Sequence, residues 1–502
     1  MILDGAKAFS NQTLEVDYCI IGSGAGGAFA AALLSERGYK VAIVEEGPYQ
    51  QTEDFKHMRE SRAYPELYQE LASRKTKDKA INVLQGRNVG GGTTVNWTTC
   101  FRTPDNTLKH WRENFDLPFT SENLARHFEF CEKRFSISPW EIPPNENNSI
   151  LAKGMKALGR DYGHISRNVK GCYNLGYCGV GCPTGAKQSQ LVTSIPKALG
   201  LGAILAPRWR AYRLAHQFGR IKRLEAYNLP GLGNTSGDIK LTIHAREFIS
   251  SAGAIGTPAL FLRSKLHDQS GLLGKRTFVH PTVISGAVFE DEVQPYLGAP
   301  QSIYSDHFLW QEHGFKLEVP PVHPVLLAST LMARGEQHRE LMLKLNNLQV
   351  CIALQRDGFS ADSIGGRVEL NSDGHPVLDY QWSPAMGDGF KNALLAMGEL
   401  QFAAGAKEVL PIHARGVRCH DFTSFKAHVD TLSMKPLDIK IVSAHVMGGA
   451  CFGVDQARSV TDLNGRVWGY DNLSVVDGSL FPTSIAANPM LSILGHTHRI
   501  FS

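Results

Sequence analysis

The sequence predicts an α/β protein in which a Rossmann-like unit is joined to a region carrying antiparallel sheet (α+β). Three observations carry that expectation. A strand–glycine loop–helix–strand unit opens the chain at Val16 to Glu45. A second strand, Leu241 to Ser250, runs into a glycine-bearing turn and an apolar helical stretch at Ala259 to Leu262. After both, Gly366 to Leu370 and Pro376 to Tyr380 flank Asn371-Ser372-Asp373-Gly374-His375, the pattern of a β-hairpin.

In the opening unit, Val16 to Ile21 is a short β-branched run and Gly22-Ser23-Gly24-Ala25-Gly26-Gly27 follows it directly. Ala28 to Leu34 then reads as helix, Gly38 as its stop, and Val41 to Val44 as the next strand. Gly22, Gly24 and Gly27 form G-x-G-x-x-G, and Glu45 lies 23 residues beyond the first glycine. Each position has a physical reason. Gly22 permits the tight turn, Gly24 and Ala25 let a pyrophosphate approach the backbone, and Gly27 allows close packing of helix on strand. The helix N-terminus favours the negative charge, and Glu45 is placed to accept hydrogen bonds from ribose hydroxyls. The motif does not separate NAD from FAD.

Glu53 to Lys79 is charged and helix-prone and reads as a solvated connection. Gly86 to Asn96 is a second glycine-dense loop, with Gly90-Gly91-Gly92 exposing backbone N–H groups to a flat ligand. Helical pattern resumes at Phe390 to Phe402, and Leu473 to Asp477 is a last strand before Gly478. There is no internal repeat.

At 502 residues the chain has room for two to four domains. Its 43% hydrophobic and 20% charged residues are ordinary for a globular protein. A net charge of +4 without a Lys/Arg block gives nucleic-acid binding no support. Met1 to Leu14 has no apolar signal core, and no apolar run approaches the roughly 18–20 residues of a membrane span. The expected location is the cytoplasm, with peripheral membrane contact left open. Nine scattered cysteines do not read as a disulfide framework.

The candidate chemistry lies at the C-terminal end. Ser443-Ala444-His445 is followed 43 residues after the histidine by Asn488-Pro489. An imidazole that accepts a proton, with a pKa of about 6.5 when unperturbed, and an amide that fixes an oxygen could jointly hold a reacting alcohol.

These segments, in this order, resemble the glucose–methanol–choline family of FAD-dependent oxidoreductases, over nearly the whole chain. The resemblance rests on the N-terminal glycine unit, the Gly86 to Asn96 loop, the Gly253 to Ser264 segment and the His445 and Asn488 regions. It implies an FAD domain assembled from discontinuous pieces, 14–105, 200–275 and 440–502, and a substrate domain with an antiparallel sheet from 106–199 and 276–439. The hairpin would belong to the latter. Gly91, Gly92 and Thr93 would run beside the flavin and pyrophosphate, with Asn96 near the reactive face. Asp477 would bind the pyrophosphate–ribityl part near Gly478, and the backbone at Pro489 and Met490 would approach the pyrimidine edge. Val95 stands where some relatives carry a histidine bonded to FAD, so non-covalent FAD is expected. His445 matches the general base and Asn488 its partner, in the oxidation of an alcohol to an aldehyde or ketone. Gly448-Gly449-Ala450-Cys451 departs from the usual motif by one place but leaves His445 as its histidine.

Cys172, Cys178 and Cys182 concentrate a third of the cysteines in eleven positions, spaced C-x5-C-x3-C. The segment resembles the one that holds a three-iron (3Fe-4S) cluster in flavoprotein subunits of bacterial sugar dehydrogenases, and also one in long-chain alcohol oxidases. An iron–sulfur relay, free thiols and a local disulfide are all open at this point. Val279-His280-Pro281-Thr282 and Pro320 to Leu327 add similarity to the alcohol oxidases, the latter apolar and pocket-forming in character. His280 and His323, each before a proline, read as structural. The preferred small-molecule substrate is a hydrophobic or aromatic alcohol, and the electron acceptor is oxygen, a quinone or a cytochrome. The alternatives are a sugar-dehydrogenase-like flavoprotein and a non-catalytic electron-transfer subunit.

Overall fold

The computed structural model describes residues 1–233 and 235–502. The opening unit forms as its sequence dictates. The strand Gln12–Ile21 leads through the glycine loop into the helix Ala25–Glu36 and returns as the strand Val41–Val44. That helix is buried along Gly26 to Ser35, so its run of alanines serves close packing against the sheet rather than helix propensity alone.

The sheet around this unit has seven strands drawn from distant parts of the chain. Ile204–Ala206, Val41–Val44, Gln12–Ile21, Lys240–Ser250 and Leu473–Val475 run parallel, and Trp209–Gln217 and Arg220–Asn228 extend it antiparallel. Lys240–Ser250 lies in continuous register against Gln12–Ile21, from Gln12 opposite Leu241 to Ile21 opposite Ser250. The carboxyl ends of these strands therefore meet at one edge, where an open parallel sheet binds its ligand.

The second large sheet has eight strands, mostly antiparallel. Its two faces are separated by the period of two along each strand. Thr282, Ile284 and Gly286 pair with Leu354, Ile352 and Val350, while Val283, Ser285 and Ala287 pair with Ala353, Cys351 and Gln349. The second set packs with the helix Pro384–Ala403 in one apolar core. The first set turns to the opposite side, where Thr282, Ile284, Val350, Ile352 and Leu354 line a cavity.

The hairpin stands apart from this sheet, and one expectation, that for 53–79, is corrected. The hairpin forms, with Arg367 opposite Asp379 and Leu370 opposite Pro376, but in a separate four-stranded sheet with Lys275–Phe278 and Met447–Gly448. It packs on the helix Gly253–Arg263, whose Arg263 donates to the carbonyl of Gly374, rather than joining the eight-stranded sheet. The stretch 53–79 is not a solvated connection. Phe55, Met58, Ala63, Leu67 and Tyr68 are buried in the core on the helical face of the parallel sheet. No helix among the described residues is long and apolar enough to cross a membrane.

Candidate active site

The two glycine loops meet. Gly22 has φ +95°, and a Cβ there would come within 2.2 Å of the Ser251 carbonyl oxygen, so neither the turn nor the space admits a side chain. A Cβ on Gly91 would reach Gly24 Cα at 2.8 Å, which brings the second loop directly onto the first. Glu45 holds the junction. Its carboxylate accepts from the Ser23 N–H at 2.9 Å, the Ser23 hydroxyl at 2.7 Å and the Gly47 N–H at 2.8 Å, and the Ser23 hydroxyl accepts in turn from the Gly90 N–H. Burial pushes the Glu45 carboxyl up, opposed by these donors. Glu46, which the sequence did not single out, pairs with Arg87 at 3.0 Å and Arg210 at 2.8 Å. Burial raises its pKa, but the two guanidiniums outweigh that and bring it to about 2.

A cavity of about 890 Å³ runs from these loops to the second sheet. Along it lie Gly22, Gly24, Ala25, Glu45, Gly91, Gly92, Thr93, Asn96, His445, Asp477, Gly478, Asn488, Pro489 and Met490. Gly27 lies beneath, where a Cβ would meet the Gly22 carbonyl oxygen at 2.1 Å. Asp477 is anchored rather than free: it accepts from the Gly253 N–H at 2.9 Å, the Thr257 hydroxyl at 2.6 Å and the Ser479 N–H at 2.8 Å. The Asn96 amide reaches the Met490 sulfur at 3.1 Å.

His445 leaves the end of the strand Ile441–Ser443, and Asn488 precedes the helix Met490–Phe501. Their side chains meet, with Asn488 Nδ2 3.4 Å from His445 Nε2. The same amide nitrogen donates to Glu318 Oε2 at 3.3 Å, so both of its hydrogens are directed. Glu318 also accepts from Gln301 Nε2 at 2.5 Å, and Gln301 accepts from the Thr99 hydroxyl at 2.6 Å. On the far side of His445, its Nδ1 lies 3.2 Å from Nδ1 of His280. His280 takes a left-handed backbone, φ +49°, an uncommon conformation for a residue with a Cβ and one that strain-bearing sites exploit.

Burial sets the protonation of this row. It lowers His445 to about 4. It also takes His280 well below the ordinary range, helped by His445 and the Lys316 ammonium. Glu318, fully buried, is pushed up to about 7 against the pull of Lys316 and Asn488. At neutral pH both imidazoles are neutral, and one Nδ1 must donate to the other. If His445 donates, its Nε2 keeps the lone pair that faces Asn488 and the cavity.

Residues 64–282 match the N-terminal and residues 362–497 the C-terminal model of the GMC oxidoreductases, together most of the chain, and 20–49 match an NAD(P)-binding Rossmann-like domain. The chain belongs to the GMC oxidoreductase family. It is similar to the long-chain-alcohol oxidase FAO4A of Arabidopsis thaliana, 27% identical over 96% of this chain and 67% of that one. It is also similar to the uncharacterised GMC-type oxidoreductase Rv0492c of Mycobacterium tuberculosis, 29% identical over 97% of this chain and 75% of that one. Among solved structures, a formate oxidase of Aspergillus oryzae shares the fold with a TM-score of 0.73, at 15% identity over 98% of both chains. This GMC oxidoreductase is an FAD-dependent enzyme.

The residues present fit FAD. A Cβ at Gly24, Gly92 or Gly253 would meet nothing within 4 Å, so three backbone segments on the cavity wall are bare. Gly24 caps its helix without a side-chain hydrogen bond, which leaves the first N–H groups to a pyrophosphate. Glu46, Arg210, Tyr212 and the hairpin turn Asp373 to Pro376 add further walls to the same cavity.

The three-iron expectation for Cys172, Cys178 and Cys182 is not supported. Among the described residues no group of three His, Cys, Asp or Glu side chains is arranged to hold a metal. The sulfurs are engaged separately: Cys178 Sγ lies 3.7 Å from Arg167 Nη2, and Cys182 Sγ accepts from the Lys187 N–H at 3.4 Å.

His280, Gln301 and Glu318 are the site residues that sequence reading missed. A histidine before proline carries no sign in the sequence of what it faces, and His280 has no other signal. Glu318 had a usable signal. In Phe315-Lys316-Leu317-Glu318 two opposite charges alternate with two apolar residues, so both project from one face of a strand.

Proposed function

We propose that this GMC oxidoreductase oxidises a hydrophobic alcohol to an aldehyde or ketone, with His445 as general base and Asn488 fixing the substrate oxygen. The reading is carried by the meeting of His445 and Asn488 at 3.4 Å in a cavity lined by two bare glycine loops and a long apolar wall. The glycine loops, Glu45 and Asp477 would hold FAD, with Asn96, Pro489 and Met490 around the ring. Bound FAD supplies the two-electron acceptor for the hydride that leaves the alcohol carbon. Val95 offers no nucleophile for a bond to the cofactor, which favours non-covalent binding.

The chain's own work is to take the hydroxyl proton and orient the carbon. Neutral His445, donating through Nδ1 to His280, presents Nε2 as acceptor to the alcohol O–H. Asn488, tethered by Glu318 through one N–H, would turn the other from His445 Nε2 to the same oxygen as the alcohol takes its place. The preference for an apolar substrate follows from the sheet face. Ile284, Val350, Ile352 and Leu354 form one wall, and Val322, Leu326 and Leu327 come from the proline-stiffened segment across it. A sugar would leave its hydroxyls unpaired against that wall, at a cost of about 1–3 kcal/mol each.

The test is an anaerobic visible spectrum of the holoenzyme, titrated with alkanols, aryl alcohols and sugars. Apolar alcohols should bleach the flavin bands. Bleaching by sugars alone would overturn the substrate assignment, and bleaching by none would overturn the reaction.

A further inference from the structure

Cys172, Cys178 and Cys182 are partly exposed, whereas the other six cysteines are buried. Two buried cations stand beside two of the three. The Lys187 side chain is only 2% exposed; its ammonium donates to the carbonyls of Thr94 at 2.6 Å, Asn96 at 2.8 Å and Cys178 at 2.6 Å. Arg167 is fully buried at 3.7 Å from the Cys178 sulfur, and its Nε and Nη1 have no hydrogen-bond partner. Among the described residues neither cation forms a salt bridge with a carboxylate. Buried positive charge requires a counter-charge, and the ionisable groups beside these two are thiols.

Cys182 is built for that role. Its sulfur accepts from the Lys187 N–H at 3.4 Å and lies 3.5 Å from the Thr184 hydroxyl. Burial opposes ionisation there, but these hydrogen bonds and the Lys187 charge outweigh it and lower the thiol. At Cys172 burial prevails and the thiol is raised.

The loop between these cysteines touches several walls of the cavity. The Tyr68 hydroxyl donates to the Gly179 carbonyl at 2.5 Å, and His323, the residue before the helix Pro324–Thr330, donates to the Gly176 carbonyl at 3.1 Å. Lys187 grips the second glycine loop through Thr94 and Asn96. A change in charge at the thiols is therefore felt by the loop that faces the cofactor.

We propose that Cys182 is a peroxide-reactive thiolate and Cys178 its resolving thiol, forming a reversible modification site behind the cavity. The Cys182 thiolate attacks one oxygen of hydrogen peroxide, the O–O bond breaks, and a sulfenic acid and hydroxide form. The Cys178 thiol then attacks the sulfenic sulfur, the S–O bond breaks, water leaves, and a Cys178–Cys182 disulfide forms. Two electrons pass from the two thiols to one peroxide, which ends with the thiol protons as two waters. The disulfide removes the negative charge of Cys182 beside Lys187, whose buried ammonium then holds Thr94 and Asn96 without that counter-charge.

The experiment uses the folded holoenzyme, treated with stoichiometric hydrogen peroxide, alkylated and digested with chymotrypsin, whose cleavage after Tyr177 separates Cys172 from the other two. The expected product is a peptide that has lost two hydrogens across Cys178 and Cys182 and is restored by dithiothreitol. In C178S the expected product is a dimedone adduct at Cys182. Independently of any variant, iodoacetamide at pH 7 should label Cys182 at least about tenfold faster than Cys172, as its larger thiolate fraction requires. Equal labelling of the two, oxidation at Cys172 first, or a dimedone adduct absent from Cys182 in C178S would each overturn the assignment.

Discussion

Replacing His445 with Ala removes the acceptor at the centre of the row, and the expected loss in flavin reduction is about 10²–10⁴-fold, the usual share of a general base. The pH profile of the unmodified enzyme tests the same role more closely. Burial lowers His445 to about 4. A base with that pKa is about nine-tenths unprotonated at pH 5, so reduction should be nearly level from pH 8 to pH 5 and fall tenfold per unit only below about 4. An imidazole left at its ordinary 6.5 would instead slow the reaction about 30-fold at pH 5. Bound cofactor and substrate exclude more water from the ring, which acts in the same direction. The assay is stopped-flow reduction of the flavin by a saturating apolar alcohol under anaerobic conditions. A 30-fold decline centred between pH 6 and 7 would refute the buried-base reasoning, as would an H445A variant that reduces at the parent rate. Linkage gives the sign for stability. The unfolded imidazole takes up its proton near 6.5 and the folded one only near 4, so the folded state loses stability as pH falls through that window.

Glu318→Gln keeps an acceptor for Gln301 and Asn488 but removes a carboxyl whose pKa burial has raised from 4.5 to about 7. The parent apoprotein should therefore lose about 3 kcal/mol relative to the variant as pH rises from 4.5 to 7, read from denaturation midpoints at each pH; parallel curves would exclude the shift. Gly24→Asp should fold, since a Cβ there meets nothing within 4 Å, yet weaken FAD binding at least tenfold by setting a carboxylate before the pyrophosphate. Visible absorbance or flavin fluorescence titration of the apoprotein with FAD measures this, and unchanged affinity would place the pyrophosphate elsewhere. Ile352→Arg puts a charge on the cavity face of the sheet and should raise KM for apolar alcohols about tenfold or more; an unaltered KM would move the substrate away from that wall.

The parallel half of the fold was legible because its rules are local. A turn at φ +95° under a carbonyl 2.2 Å from any Cβ has one solution, and Gly22 announces it. The hairpin was legible for the same reason, through Asn371 to His375. Its place was not, because the Gly366 to Tyr380 ribbon chooses its sheet by contacts with Arg263 and Lys275–Phe278, more than a hundred and nearly a hundred residues away in sequence. The stretch 53–79 misled through its charges. Its apolar residues Phe55, Met58, Ala63 and Leu67 are few, irregularly spaced and interrupted by short helices, so no single period reported their burial. In the site, His445 and Asn488 could be paired because the family resemblance ordered them. Glu318 and Gln301 could not, since their meeting depends on a strand register in which Glu318 lies opposite Ile352.

That register also explains how one sheet serves two chemistries. On the face shared by Ile284, Ile352 and Leu354, the neighbouring strand contributes Glu318 opposite Ile352 and Lys316 opposite Leu354. Lys316 is withdrawn from the cavity by Asp306 and by the rings of Phe101 and Tyr304, 4.0 and 4.2 Å from its ammonium. Glu318 is withdrawn behind Asn488, with no exposed surface. The charges thus support the polar residues without facing the cavity, while the apolar residues of the same face line it. Changes among Ile284, Ile352 and Leu354 should accordingly alter which alcohol is accepted, and changes at Glu318 how well Asn488 is held. A double variant of Ile284→Ala and Glu318→Gln, whose sites are separated by the strand that carries Ile352, tests this division. If the two roles are separate, the selectivity change and the rate change should combine with less than about 0.5 kcal/mol of coupling in the holoenzyme, whereas a larger coupling would mean that the wall and the carboxyl act as one unit.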